Sequence, residues 1–158
     1  MLFRSDGKRW SYLRHITTDN QDYLKAWIER ILFQKMPPEA KFIGQVKDDQ
    51  VVAVVAYYAF LPNACSMHIG SVGEHWMSKD LLWACFDYPF NKLEKKVILV
   101  TLEASNEEAV KLNRHLGFHE EVVIKDAHDD GDLMIMTMKR EDCKWLNLNA
   151  PLTKLQGE

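Results

Sequence analysis

The sequence lacks the features that mark secreted, membrane-spanning and disulfide-bonded proteins. Its 158 residues include only three cysteines, Cys65, Cys85 and Cys143, which are widely spaced and form no Cys-x-x-Cys pair. This odd, scattered set predicts free thiols and a reducing compartment, so we expect a cytoplasmic protein. The first ten residues have no apolar segment typical of a signal peptide. The longest apolar run, Val51–Leu61, is too short to cross a bilayer, which argues against a membrane partner.

An excess of charge of one sign is also missing. The chain has 20 Lys and Arg residues against 23 Asp and Glu residues, for a formal net charge of −3. A nucleic-acid partner held by bulk positive charge is therefore not expected, and an anionic ligand would need a local site. With 47% hydrophobic and 27% charged residues, the composition is typical of a globular protein, and the length fits one domain.

Hydrophobic periodicity and turn residues predict the element order β-α-β-β-β-α-β-α-β-β. We expect a loose N-terminal segment over residues 1–10, a single domain over residues 11–146 and a C-terminal tail over residues 147–158. The predicted helices begin after Thr18 or Asp19, at Ser78 and at Asn106, which are good N-cap residues. The predicted strands cover residues 12–16, 41–47, 51–60, 65–72, 97–102, 121–125 and 133–139.

Two strand–helix–strand passages predict an α/β fold with a partly parallel sheet and helices on both faces. The strand that begins at Val51 is apolar at successive positions, which indicates that both of its faces are covered. The second helix is expected to end near Pro89. In the third helix, Ala109, Leu112 and Leu116 are expected to form the inner face, and Gly117 to stop the helix.

The most informative segment is NEEAVKLNRHLGF, residues 106–118. It resembles the N-x-x-A-x-x-L-[Y]-x-[K]-x-G-F segment of the GNAT acyltransferases, and the resemblance covers residues 12–140. It implies a GNAT-like mixed sheet in which the strands at 65–72 and 97–102 form a parallel, splayed pair at an acyl-CoA cleft. Four further segments are similar to GNAT proteins encoded in proteobacterial and phage genomes: WMSK at 76–79, FDYPF at 86–90, DGD at 130–132 and EDCKW at 141–145.

The resemblance implies transfer of an acetyl group from acetyl-CoA to an amine by direct attack, and it implies where the cofactor lies. The family holds the pyrophosphate with [QR]-x-x-G-x-[GA], where this chain has GEHWMS over residues 73–78. This chain differs from the family at all three signature positions. It has Trp76 where the family has a glycine that lets the backbone approach phosphate. A helix N-terminus still suits an anion. The implied cofactor-binding residues are Ile69 on the strand, Trp76, Met77, Ser78 and Lys79 in the loop, and Asn106 and Asn113 on the helix.

The candidate catalytic residues are His68 and Glu103. A histidine has a pKa suited to taking a proton from an amine, and a carboxylate at the mouth of the splay could do so directly or through water. The resemblance implies that backbone N–H groups from His68 to Gly70 stabilise the oxyanion. Asn113 replaces the tyrosine that commonly protonates the departing thiolate, and an amide cannot act as a general acid. Either water protonates the departing thiolate, or the protein has lost efficient chemistry.

An alternative from another class remains open: a GNAT-fold structural or interaction protein without catalysis, such as a minor phage virion component. Trp76 and Asn113 favour it, and homo-oligomer or virion association would accompany it. For an enzyme, the acceptor is a small-molecule or protein amine. Glu39, Asp48 and Asp49 either attract a cationic amine or are solvated loop charges. His115, His119 and His128 are scattered and residues 129–132 are typical of a hairpin turn, so no metal site is expected.

Overall fold

The computed structural model describes residues 14–148 of the chain. The predicted loose segment at residues 1–10 and most of the predicted tail at residues 147–158 lie outside the described residues, so these domain limits stay predictions. No helix within residues 14–148 is both long enough and apolar enough to cross a membrane.

The strands and helices follow one another in the predicted order. Short irregular helical turns add to them: a π-helical turn at Tyr88–Lys92 and 3-10 turns at Arg140–Asp142 and Lys144–Asn147. The regular elements are β1 (His15–Thr17), α1 (Gln21–Leu32), β2 (Lys41–Lys47), β3 (Gln50–Tyr58), β4 (Ala64–Ser71), α2 (Lys79–Asp87), β5 (Val97–Glu103), α3 (Glu107–Leu116), β6 (His119–His128) and β7 (Gly131–Lys139).

All seven of these strands belong to one mixed sheet with the order β1-β2-β3-β4-β5-β7-β6. Neighbouring strands are antiparallel except β4 and β5, which run parallel and are joined through α2. This confirms the predicted α/β class and the predicted parallel pair.

Helices cover both faces of the sheet. Side chains alternate along β3, so that Val55 and Tyr57 pack in the main core with α2 and α3, whereas Val54 and Ala56 pack against α1. Residues Ala53 to Tyr57 are completely buried, which confirms that both faces of this strand are covered.

Two local predictions were wrong. Asn20, rather than Thr18 or Asp19, caps α1, because its side chain accepts from the Tyr23 N–H and asparagine tolerates the left-handed conformation found there. The second helix does end near Pro89, as predicted: α2 ends at Asp87, and Pro89 lies in the first turn of the π-helical segment that follows, where a missing N–H is tolerated.

The second error concerns the inner face of α3. Val110 and Leu116 are its buried residues, whereas Leu112 is exposed. Leu112 points into an open cleft rather than the core, and the helical spacing alone could not distinguish these environments. Gly117 ends the helix in the left-handed conformation as predicted.

Candidate functional site

The strands β4 and β5 pair over only part of their length. Ala64, Cys65 and Ser66 pair with Val97, Ile98 and Leu99, yet both strands continue for several residues beyond this point. The strands therefore part toward their C-terminal ends, which confirms the splayed pair implied by the resemblance. This separation leaves the backbone edge of β4 beyond Ser66 without a partner from β5.

A narrow cleft lies where the strands part, with a cavity volume of about 110 Å³. One wall comes from β4, a second from β5, and α3 closes the third side. The lining residues are Met67, His68, Ile69, Val100, Thr101, Leu102, Ala109, Leu112 and Asn113. The cleft is mainly apolar, with polar side chains from His68, Thr101 and Asn113.

A wide cavity of about 500 Å³ adjoins this cleft. Its walls combine the C-terminal end of α1, the ends of β4 and β5, the start of α3 and the turn between β6 and β7. The lining residues are Leu32, Phe33, Gln34, His68, Thr101, Leu102, Glu103, Asn106, Ala109, His128, Asp129 and Asp130. Since His68, Thr101, Leu102 and Ala109 line both spaces, the narrow cleft and the wide cavity meet at these residues.

His68 is held on the α1 face of β4. Gly70 is on the same face, where a Cβ would lie 3.0 Å from the Ile28 side chain, so α1 packs closely against this strand. Burial lowers the pKa of His68 below its ordinary value of 6.5. The imidazole is therefore predominantly neutral at pH 7 and can accept a proton.

Glu103 ends β5 and is only partly buried. Its carboxylate accepts a hydrogen bond from the Ser105 hydroxyl at 2.6 Å. Antiparallel pairing of β5 with β7 brings the β6–β7 turn alongside this end of β5, and the ligand atoms of Glu103, His128 and Asp130 all lie within 4.8 Å of one another. The sequence reading did not anticipate this group, which has the chemistry to bind a cation.

The two asparagines of the α3 segment occupy different cavities. Asn106 caps the helix, with its side-chain oxygen accepting from the Ala109 N–H at 3.1 Å, and it lines the wide cavity. Asn113 lines the narrow cleft, where its side-chain N–H donates to the Ala109 carbonyl at 2.8 Å. The Asn113 amide nitrogen is thus engaged within its own helix.

The loop before α2 is anchored at both ends. Trp76 and Met77 are partly buried against the main core. Ser78 caps α2 by accepting from the Leu81 N–H at 3.0 Å, and its hydroxyl donates to the side chain of the fully buried Gln45 at 2.6 Å. The exposed Lys79 is the first residue of the helix, so it adds a positive charge to the positive end of the helix dipole.

Sequence reasoning missed several residues of the two cavities. Thr101 lines both spaces and hydrogen-bonds with Tyr58, a bond that partly offsets the rise in the Tyr58 pKa caused by burial. His128 and Asp130 were interpreted only as members of a hairpin. The one signal that could have found them is the hairpin topology, because a hairpin paired beside β5 must bring its turn to the C-terminal end of that strand.

No protein-family model and no curated protein sequence matches the chain. Several solved structures match it. A variant of the spermidine N-acetyltransferase SpeG from Vibrio cholerae is 15% identical, with a TM-score of 0.67 over 85% of this chain and 96% of that one. The same enzyme in complex with CoA and spermine is 15% identical, with a TM-score of 0.66 over 85% and 98% of the two chains.

A third solved structure is yncA from Salmonella typhimurium, with its cofactor acetyl-CoA. It is 11% identical to this chain, with a TM-score of 0.64 over 89% of this chain and 98% of that one. Sequence identities this low establish shared architecture. Together with the splayed parallel pair, these likenesses show that the chain has the GNAT fold.

Proposed function

We propose that this protein is an N-acyltransferase of the GNAT family, which transfers an acetyl group from acetyl-CoA to an amine by direct attack. The observation that carries the proposal is the meeting of the narrow cleft and the wide cavity at His68, where the parallel strands part. Such a junction allows one reactant to enter from each side. The activity of the spermidine N-acetyltransferase with the same fold supports this chemistry.

The narrow cleft suits a pantetheine arm. The gap-facing edge of β4 beyond Ser66 has no strand partner from β5, so its backbone polar groups can pair with the amides of the arm. Ile69 and Asn113 line this path, and Asn106 stands at the adjoining wide cavity. Acetyl-CoA, when bound, supplies the acetyl group as an activated thioester.

The start of α2 suits the pyrophosphate. Its N–H groups at Met77, Ser78 and Lys79 lie at the positive end of a nine-residue helix, and the Lys79 ammonium adds a full charge. Trp76 departs from the family's glycine. Its packing against the main core supports a role in fixing the loop rather than in direct contact with the phosphates.

His68 is the preferred general base. It lines both cavities and is predominantly neutral at pH 7, so its imidazole can take the proton that the amine loses as the new C–N bond forms. Backbone N–H groups from His68 to Gly70 would stabilise the oxyanion. Glu103 is the second candidate base, acting through water. It lines the wide cavity but not the narrow cleft.

A GNAT-fold binding protein without catalysis is the second candidate function. Asn113 favours it, because its side chain has no acidic proton and its amide nitrogen is engaged with the Ala109 carbonyl. Under the first function, water protonates the departing thiolate. Under the second, CoA or an amine binds without turnover, and a homo-oligomer or association with a virion would be expected.

We further propose a cytoplasmic protein from the proteobacterial and phage subset of the family. The described cysteines are free and buried, and burial raises the pKa of Cys65 to about 11, so this thiol is poorly reactive. The WMSK, FDYPF, DGD and EDCKW segments support the subset.

Isothermal titration with CoA and an acetyl-transfer assay test the function. Leu112→Trp should fill the narrow cleft and weaken CoA binding, whereas Lys111→Trp, on the exposed side of the same helix, should not. For the unaltered protein, CoA at 100 times its Kd should stabilise the fold by about 2.7 kcal/mol. No CoA binding at millimolar concentration would refute the proposal, and binding without transfer to any amine would favour the second candidate.

A further inference from the structure

We propose that the wide cavity selects an acceptor with two positive charges, and that Asp129 and Asp130 are its specificity-determining residues. This inference rests on the proposed function, because it takes the wide cavity as the entry for the amine. The amine that reacts would lie at His68, and the second cationic group would lie at the turn between β6 and β7.

The charge of the cavity wall is the first argument. Glu103, Asp129 and Asp130 line it, and none of the described lining residues is a lysine or arginine. Burial keeps His68 predominantly neutral at pH 7, so it does not offset these carboxylates. His128 also lines the wall, but a single imidazole cannot balance three carboxylates. The wall is therefore negative, and a negative cleft raises the local concentration of cationic ligands.

The second argument is that His68 and the turn carboxylates belong to different walls of the cavity. His68 lies at the junction with the narrow cleft, whereas the turn carboxylates belong to the β6–β7 hairpin and do not line that cleft. At that wall, Asp130 groups with Glu103 and His128 within 4.8 Å. A monoamine positioned at His68 would leave the Asp129 and Asp130 carboxylates without an ammonium partner. A second ammonium group, which donates hydrogen bonds and accepts none, would match these carboxylate acceptors.

Phe33 supplies the third argument. Its ring is 95% exposed, and it lines the same cavity at the end of α1. The residue is held in the left-handed region at a φ of 52°, where its backbone N–H closes the helix by donating to the Glu29 carbonyl. This conformation is unfavourable for a bulky side chain. An exposed ring beside an acidic wall offers a face that attracts cations.

The test compares two acceptors of the same chain length, 1,4-diaminobutane and butylamine, which differ in the second amine. The variant is Asp129→Asn with Asp130→Asn, since asparagine is well tolerated in turns and removes two charges. The control is Glu141→Gln with Asp142→Asn, which makes the same charge change at two adjacent exposed residues outside the cavity.

For the unaltered protein, the diamine should be the better acceptor by kcat/KM, and its KM should rise with salt. The turn variant should raise the KM of the diamine by roughly threefold or more, as expected for the loss of two ion pairs at exposed carboxylates. Butylamine should be acetylated equally by both proteins. The control variant should retain the preference for the diamine.

Equal use of both amines by the unaltered protein would overturn the inference, as would an equal effect of the control variant. A preference for the diamine that vanishes with EDTA would also overturn the inference, because the carboxylates would then bind a divalent cation rather than the second ammonium group. Direct calorimetric titration of each amine measures the same preference without catalysis. The two proposals can fail separately. If the protein does not bind CoA but still binds the diamine through Asp129 and Asp130, the proposed function is refuted and the preference of the cavity for a diamine is retained.

Discussion

His68→Gln is the substitution that most directly tests the proposed chemistry. Glutamine retains a polar side chain of similar length, but it cannot take up a proton near neutral pH. The protein should still fold and bind CoA, because the narrow cleft is lined by residues of β4, β5 and α3, and His68 is only one of them. Acetyl transfer should fall sharply.

The expected loss is about 10²–10⁴ in kcat, the range for a positioned proton-transfer group. At about 1.36 kcal/mol for each tenfold change, this corresponds to roughly 3–5 kcal/mol of the activation barrier. The structure supports a loss of kcat within this range, because His68 is the one candidate base that lines both cavities. Glu103→Gln should then have the smaller effect.

The pH profile of kcat provides a second measurement. Burial lowers the pKa of His68, so the rising limb should have its midpoint below pH 6.5 and should disappear in the His68→Gln variant. The matched control is His115→Gln, because this histidine is exposed in the last turn of α3. The control should retain both the rate and the rising limb.

Two results would refute this reasoning. One is full activity in both the His68→Gln and Glu103→Gln variants, which would leave proximity and the backbone oxyanion site as the whole mechanism. The other is an unchanged pH limb in His68→Gln. Loss of CoA binding would instead show that the substitution damaged the cleft, and calorimetry distinguishes that case.

Other substitutions and conditions test the surroundings of the site. Asn113→Tyr restores the residue common in the family and should not abolish acetyl transfer; a higher kcat is expected if the ring fits the cleft. Gln45→Leu should destabilise the fold by about 1–3 kcal/mol in urea titrations, because the Ser78 hydroxyl loses its buried acceptor. Lowering the pH through 6.5 should reduce the unfolding free energy, since the unfolded chain binds protons at His68 more readily. Iodoacetamide should alkylate Cys65 slowly at pH 8 unless urea is added, because burial raises its pKa to about 11.

Each of these has a control or a contrary outcome. Loss of activity in Asn113→Tyr with intact CoA binding would mean that Asn113 takes part in the chemistry. Gln50→Leu, an exposed change, should leave the urea midpoint nearly unaltered. For the pH effect, the His68→Gln variant should show a weaker dependence around pH 6.5. Rapid alkylation of Cys65 in the folded protein would contradict its burial.

The order of the elements followed from the sequence because it depends on local patterns. Apolar alternation, the Ser78 and Asn106 caps and the Gly117 stop each act within a few residues. The continuous apolar run in β3 correctly indicated burial on both faces. Local patterns failed where two of them competed, as at the start of α1, where Asn20 took the capping position.

The identity of His68 and Glu103 as candidates also came from the sequence, through the strands that carry them and the resemblance to the family. What the sequence could not show is that His68 borders two cavities while Glu103 borders the wide one. That distinction depends on where β4 and β5 stop pairing, and strand separation is set by packing between elements distant in the chain.

The acidic wall of the wide cavity was decided only by the tertiary structure. Asp130 follows Glu103 by more than twenty residues, and nothing in either local segment indicates that they meet. The register of β7 against β5 brings them together, and Phe33 reaches the same space from α1. Local sequence determines which residues form strands and helices, whereas the pairing and packing of these elements determine which side chains share a cavity.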